Sequence, residues 1–100
     1  MYEFLVGLDV SDDEIYADYR AAMKPILNRY GGGFGFDFIV SDVLLSEVDV
    51  PINRVFTIHF PSHSAAENFF SDPAYLSVKI RYFDASVAHT TIISSYEKDY

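Results

Sequence analysis

The sequence predicts an α+β fold: a four-stranded antiparallel sheet with helices on one face, in the chain order β-α-β-β-α-β. Three observations lead there. Apolar residues alternate with polar ones over Tyr2–Val10, Phe34–Val48, Arg54–Phe60 and His89–Glu97, the period of a half-buried strand. The two stretches between the first and second strands and between the third and fourth space their apolar residues by three and four, as amphipathic helices do. One hundred residues is one domain's worth of chain, so residues 1–100 are read as a single domain with one core.

The elements follow in order. In Tyr2–Val10, Phe4, Val6 and Leu8 share one face and Leu5, Gly7 and Asp9 the other. Ser11 then opens a helix, with Glu14 completing a capping box. Asp12, Asp13 and Glu14 suit the positive end of the helix dipole. Ile15, Tyr19, Ala22, Ile26 and Tyr30 form the stripe expected to be buried. Arg20, Lys24 and Arg29 are assigned to later turns, where cations suit the dipole. Pro25 lacks an amide donor and crowds the carbonyl of Ala21, so a kink or break is expected there. Gly31 to Gly33 end the helix.

The second strand, Phe34–Val48, is expected to bend near Ser41-Asp42, and "DVPIN" turns the chain into Arg54–Phe60. Pro61 ends that strand. Ser62 or Ser64 caps a short helix carrying Ala65, Ala66, Phe69 and Phe70. Pro73 suits the first position of a new helix capped by Ser71 or Asp72, with Leu76, Ile80, Phe83 and Val87 as its buried stripe. His89–Glu97 is the last strand, and "KDY" a frayed end. With right-handed crossovers this order gives the ferredoxin-like arrangement.

One sheet face is predicted to lie under the helices: Phe4, Val6, Leu8, Phe36, Phe38, Phe56, Ile58 and Phe60. The other is mixed: Leu5, Gly7, Asp9, Asp37, Ile39, Val55, Thr57 and His59. It is too apolar for water and too charged for a core, so a second copy of the chain is expected against it, making a homodimer.

Composition excludes several functions. There are no cysteines, which removes disulfides, thiolate metal sites and cysteine catalysis. The net charge is −8 and the seven Lys and Arg residues are scattered, so no concentrated positive field exists for nucleic acid. Apolar runs are too short to span a membrane. The chain opens directly on a strand pattern with no basic leader, and a cytoplasmic location is expected.

The segments "YADY", "YGGGF", "RVFTIHFPS" and "AAENFFSDPAY", with the Arg81 that follows, together resemble the domain-of-unknown-function 1330 family of the dimeric α+β barrel superfamily. The resemblance spans nearly the whole chain and is most specific from Phe60 to Arg81. It implies the fold and the dimer. Members usually carry an arginine after the Gly-Gly pair, where Gly33 stands here. The family carries no settled reaction. The wider superfamily includes cofactor-free monooxygenases, haem-handling enzymes and isomerases of small organic acids, a likeness of fold alone.

Three constellations could carry chemistry. Arg54 and Arg81 are expected at one end of the molecule with the first helix's N-terminus, where they could hold a carboxylate or phosphate; they could equally pair with Asp9, Asp12, Asp13 or Asp84. Tyr75, with Tyr19 and Tyr16, could donate to a ligand oxygen, or simply pack along helix seams. His59 and Asp37, expected opposite each other on adjacent strands, make half of a general-base arrangement, or a structural hydrogen bond. His59 and His63 straddle a strand end with Pro61 between them, so no metal site is expected, and no cofactor is called for. "YGGGFGF" lacks the strand-then-helix context of a phosphate loop. Two readings stand. One is a homodimer binding a small anionic or aromatic organic molecule through Arg54, Arg81, Tyr75 and Tyr19, with cofactor-free oxygenation or isomerisation as the enzyme class that would suit the superfamily. The other is an interaction module without a small-molecule site.

Overall fold

A computed structural model describes residues 1–99. The elements are β1 (Tyr2–Val10), α1 (Asp13–Arg29), β2 (Gly33–Ile39), β3 (Arg54–Phe60), α2 (His63–Ser71), α3 (Pro73–Val78), a π-helical turn (Lys79–Phe83), α4 (Asp84–Ser86) and β4 (Val87–Glu97). All sheet pairings are antiparallel, in the order β2-β3-β1-β4, which is the ferredoxin-like topology.

Capping settles the helix starts. Asp12, not Ser11, caps α1: its carboxylate accepts the Ile15 amide at 3.0 Å, while the Ser11 hydroxyl reaches the Ser86 carbonyl. Ser62 caps α2, and Asp72 caps α3 with Pro73 at its first position. Helix α1 runs through Pro25 without a break, because Pro25 lies on its exposed side. The buried stripe of α1 is Tyr16, Tyr19, Met23, Ile26 and Leu27, rotated from the expected one; Ile15, Ala22 and Tyr30 are only half-buried. Gly31, at φ 71°, makes the left-handed turn that ends it.

In the third helical region the π-helical turn adds one residue to the period. The expected stripe of Leu76, Ile80, Phe83 and Val87 is therefore split. Leu76 and Ile80 face solvent, while Tyr75 is buried and Phe83 and Val87 pack at the core margin.

β2 is shorter than expected. It stops at Ile39, and residues 40–53 are irregular, held by the Val40 amide on the Asn53 carbonyl and the Asn53 side chain on Val10. A register shift between Phe34 and Asp37 places one extra residue in β2. Phe34 lies opposite Ile58 and Asp37 opposite Phe56, so every side chain after the bulge changes face. Phe36 and Phe38, expected beneath the helices, stack on each other at 5.8 Å on the open face, while Asp37 lies on the helix side.

The core lies between the sheet and the helices and is built from Val6, Leu8, Phe56, Ile58 and Phe60 against Tyr16, Tyr19, Leu27, Phe69 and Tyr75. The C-terminal segment is tied down rather than frayed as far as Lys98, whose amide donates to the Met1 carbonyl and whose ammonium reaches Glu3. Tyr100, the last residue of the expected frayed end, lies outside the described residues.

Candidate functional site

Between sheet and helices a cavity of about 50 Å³ remains, walled by Tyr16, Tyr19 and Arg20 of α1, Phe34 of β2 and Phe56 of β3, with Phe70 and Phe83 among its lining. Its lining is almost wholly aromatic and aliphatic. Arg20 is its one charged residue. The periodicity of α1 explains the grouping: Tyr16 and Arg20 stand four apart on one helix face and Tyr19 beside them.

The Arg20 guanidinium carbon sits 4.0 Å from the Phe34 ring centre, 4.7 Å from Phe56 and 5.2 Å from Tyr16. A cation among aromatic faces is held by the ring quadrupoles. Nε donates to the Tyr16 hydroxyl at 2.8 Å and Nη1 to Asp37 at 3.4 Å. Nη2 is buried and has no hydrogen-bond partner among the described residues. An unpaired buried donor is costly, so this nitrogen is the feature of the site that most needs a partner.

Asp37 anchors the edge of the site. Arg54 grips it with both Nε (2.7 Å) and Nη2 (2.8 Å), and lies 5.1 Å from the Tyr16 ring centre. The hydrogen bonds from Arg54, with Arg20 nearby, hold the Asp37 carboxyl below its ordinary range. Tyr19 and Tyr75 share a buried 2.8 Å hydroxyl–hydroxyl bond. Burial pushes the ionisation of Tyr16, Tyr19 and Tyr75 upward, so these phenols remain protonated and act as donors, not bases. No carboxylate or imidazole lines the cavity.

The structure separates several residues that the sequence grouped. Arg54 is on the helix side, fully engaged with Asp37, which is none of the acids named as its alternatives. Arg81 is exposed in the π-helical turn, its guanidinium 5.1 Å from the Tyr82 ring centre, and it does not line the cavity. The first helix's N-terminus carries its own anions, Asp12, Asp13 and Glu14. Asp84 pairs with Lys79. The expected pairing of His59 with Asp37 is overturned: His59 lies opposite Gly33, Asp37 opposite Phe56, and the bulge sends Asp37 to the other side of the sheet. The His59 ring rests against Gly33, where a Cβ would come within 3.0 Å of Nε2, and its Nδ1 is buried with no hydrogen-bond partner among the described residues. His63 instead meets Glu67 at 2.8 Å. No group of three or more His, Cys, Asp or Glu side chains that could hold a metal ion occurs among the described residues.

Of the sequence-level candidates, the structure brings Tyr19 and Tyr75 together beside the cavity and places Arg54 one residue away, through Asp37. Arg20 was missed because it was assigned to the helix-end cations. Its position one residue after Tyr19, on the margin of the apolar stripe, was the available signal.

The fold and cavity define a ferredoxin-like α+β protein with an aromatic-walled recess under its helices. The chain belongs to the family described as Domain of unknown function (DUF1330), whose model matches residues 4–96. A protein of unknown function from Rhodopseudomonas palustris is similar in structure, with TM-score 0.80, 20% identity, and coverage of 99% of this chain and 82% of that one. A dabb family protein with a ferredoxin-like fold from Mesorhizobium loti gives TM-score 0.65 at 15% identity, covering 97% and 95%. SnoaB, a cofactor-independent oxygenase from Streptomyces nogalater, gives 0.62 at 16%, covering 99% and 93%. No curated protein matches the chain.

Proposed function

We propose that the protein is a cytoplasmic homodimer that binds a small aromatic anion in the cavity beneath its helices. One observation carries the reading: the buried Nη2 of Arg20, without a partner, belongs to the single charged residue of an aromatic-lined recess. An aromatic ring would pack against Phe34, Phe56 and Tyr19, and an anionic oxygen would take the free guanidinium donors. Arg54 supports this arrangement through Asp37 rather than by touching the ligand. Arg81 has no part in it.

The cavity as it stands has room for a few waters. A cavity of about 150 Å³ is needed to hold benzene, so a ring enters only when Phe70 or Phe83 swings outward. Phe70 is the readier of the two, being 40% exposed. Because the lining offers donors and no base, binding is the favoured activity. An oxygenation like that named for SnoaB would require the substrate to supply its own reactive carbanion.

Titration with benzoate, followed by NMR of the aromatic side chains, tests the reading. Saturable shifts confined to Tyr16, Tyr19, Phe34 and Phe56 are expected, and Arg20→Met should weaken binding by about tenfold or more. Shifts that never saturate, or equal affinity in Arg20→Met, would remove the assignment. The interaction-module reading predicts that outcome.

A further inference from the structure

We infer that the cavity selects the ionised oxygen of a phenol or enol, making the group it binds more acidic, and that Tyr75 is the positioning residue that turns the Tyr19 hydroxyl proton toward that oxygen. This rests on the reading of the cavity as a ligand site and names the chemistry it takes.

Around the recess, hydrogen-bond donors outnumber their acceptors. Arg20 Nη2 carries two N–H groups with no acceptor. The Tyr16 hydroxyl accepts from Arg20 Nε, and no acceptor among the described residues takes its own proton. Tyr19 and Tyr75 have two hydroxyl protons between them and one shared hydrogen bond, so one proton is left over. Both tyrosines are about 95% buried, so bulk solvent has little access to them. Against these donors the lining sets no carboxylate, amide or imidazole side chain. Buried polar groups are almost always satisfied, so a site with up to three idle donor groups and the charge of Arg20 is complementary to an oxygen that accepts several hydrogen bonds and carries the negative charge.

Tyr19 lines the cavity and Tyr75 does not. When Tyr75 donates to Tyr19, the Tyr19 proton is free for the ligand. The reverse orientation would leave a free proton on Tyr75, away from the recess. Ionisation of the ligand then breaks its O–H bond, leaves the electron pair on oxygen beside Arg20, and passes the proton to buffer. No oxidant or protein base takes part.

The test uses the full chain and 4-nitrophenol, whose anion is coloured, with benzoate as the always-ionised comparison. Absorbance of the bound phenol is followed against pH at saturating protein. The expected result is an ionisation midpoint lowered by at least about one unit, a tenfold preference for the anion. Arg20→Met should abolish the shift. If that variant fails to fold by circular dichroism, Arg20→Lys, which keeps the charge but loses the second guanidinium nitrogen, must still shrink the shift. Tyr19→Phe and Tyr75→Phe should each reduce it. Binding of both probes with an unmoved midpoint overturns the selectivity and leaves the binding reading standing. Failure of both probes to bind overturns the two together. A midpoint unchanged in Tyr75→Phe removes the positioning role.

Discussion

At the scale of single residues, the decisive placements follow from hydrogen-bond satisfaction more than from apolarity. Asp37 illustrates this. The alternation of "FGFDFI" assigns it to the open face, yet it sits on the helix side, where Arg54 grips it with two nitrogens and Arg20 with a third. Its depressed carboxyl range has a thermodynamic consequence. The unfolded chain binds a proton near pH 4, the folded chain only at lower pH. The ion pairs thus stabilise fully above pH 4, and that contribution disappears as the pH falls through the folded value. Asp37→Asn should cost roughly 1 kcal/mol at pH 7, since the group is partly exposed and screened. The penalty should be smaller at about pH 3, below the unfolded value. Urea unfolding of both proteins at the two pH values measures it, and a pH-independent difference would mean that the pairs contribute nothing. The same accounting explains why Arg20 was hidden: its place on the margin of the apolar stripe hints at burial, but only the strand register puts it against Phe34.

At the scale of elements, much was legible, and the losses share one cause. The extents of β1 and β3, the break before Pro73 and the narrowing of the caps to Ser62 or Ser64 and to Ser71 or Asp72 follow from period and end chemistry, which are local. The bulge in β2 and the π-helical turn are single-residue additions that leave composition unchanged but reverse or rotate all that follows. They moved Phe36 and Phe38 to the open face and carried Ile80 out into solvent. Pro25 shows the converse, a local rule overridden by packing. The Met23, Ile26 and Leu27 side chains bury so well that α1 pays for a missing amide bond at the Ala21 carbonyl and continues. Pro25→Ala should restore that bond. A helix-interior proline costs about 3 kcal/mol relative to alanine, offset in part by the stiffness it gives the unfolded chain, so a gain of roughly 1–2 kcal/mol is expected. Thermal unfolding should show it as a rise of several degrees; a lower midpoint would mean the proline relieves strain that alanine would reintroduce.

At the scale of the whole molecule, the open sheet face is the feature the single chain leaves unresolved. Ile52 covers Gly7, where a Cβ would come within 3.1 Å of its side chain, but Phe36 and Phe38 remain more than half exposed. Leu44 and Leu45, at 91% and 93%, stand almost fully in solvent and line a broad groove with Val55, Ile92 and Ile93. Monomeric proteins rarely leave so much contiguous apolar surface uncovered. The predicted twofold partner would cover this face with the same face of its own, since a closed pair matches each patch to itself. Two substitutions separate this from a merely sticky surface. Phe38→Asp places a charge on the open face of the edge strand β2, and Leu45→Asp one on the irregular segment that follows it. Each buried charge opposite its own copy would cost several kcal/mol, enough to shift a micromolar dimer to monomer. Light scattering at micromolar concentration should show twice the chain mass for the natural sequence and the single mass for Phe38→Asp. A natural chain that scatters as a monomer would end the dimer proposal. The cavity beneath the helices, on the opposite side of the sheet, would be untouched by that result, and benzoate binding in the monomeric variant should be retained.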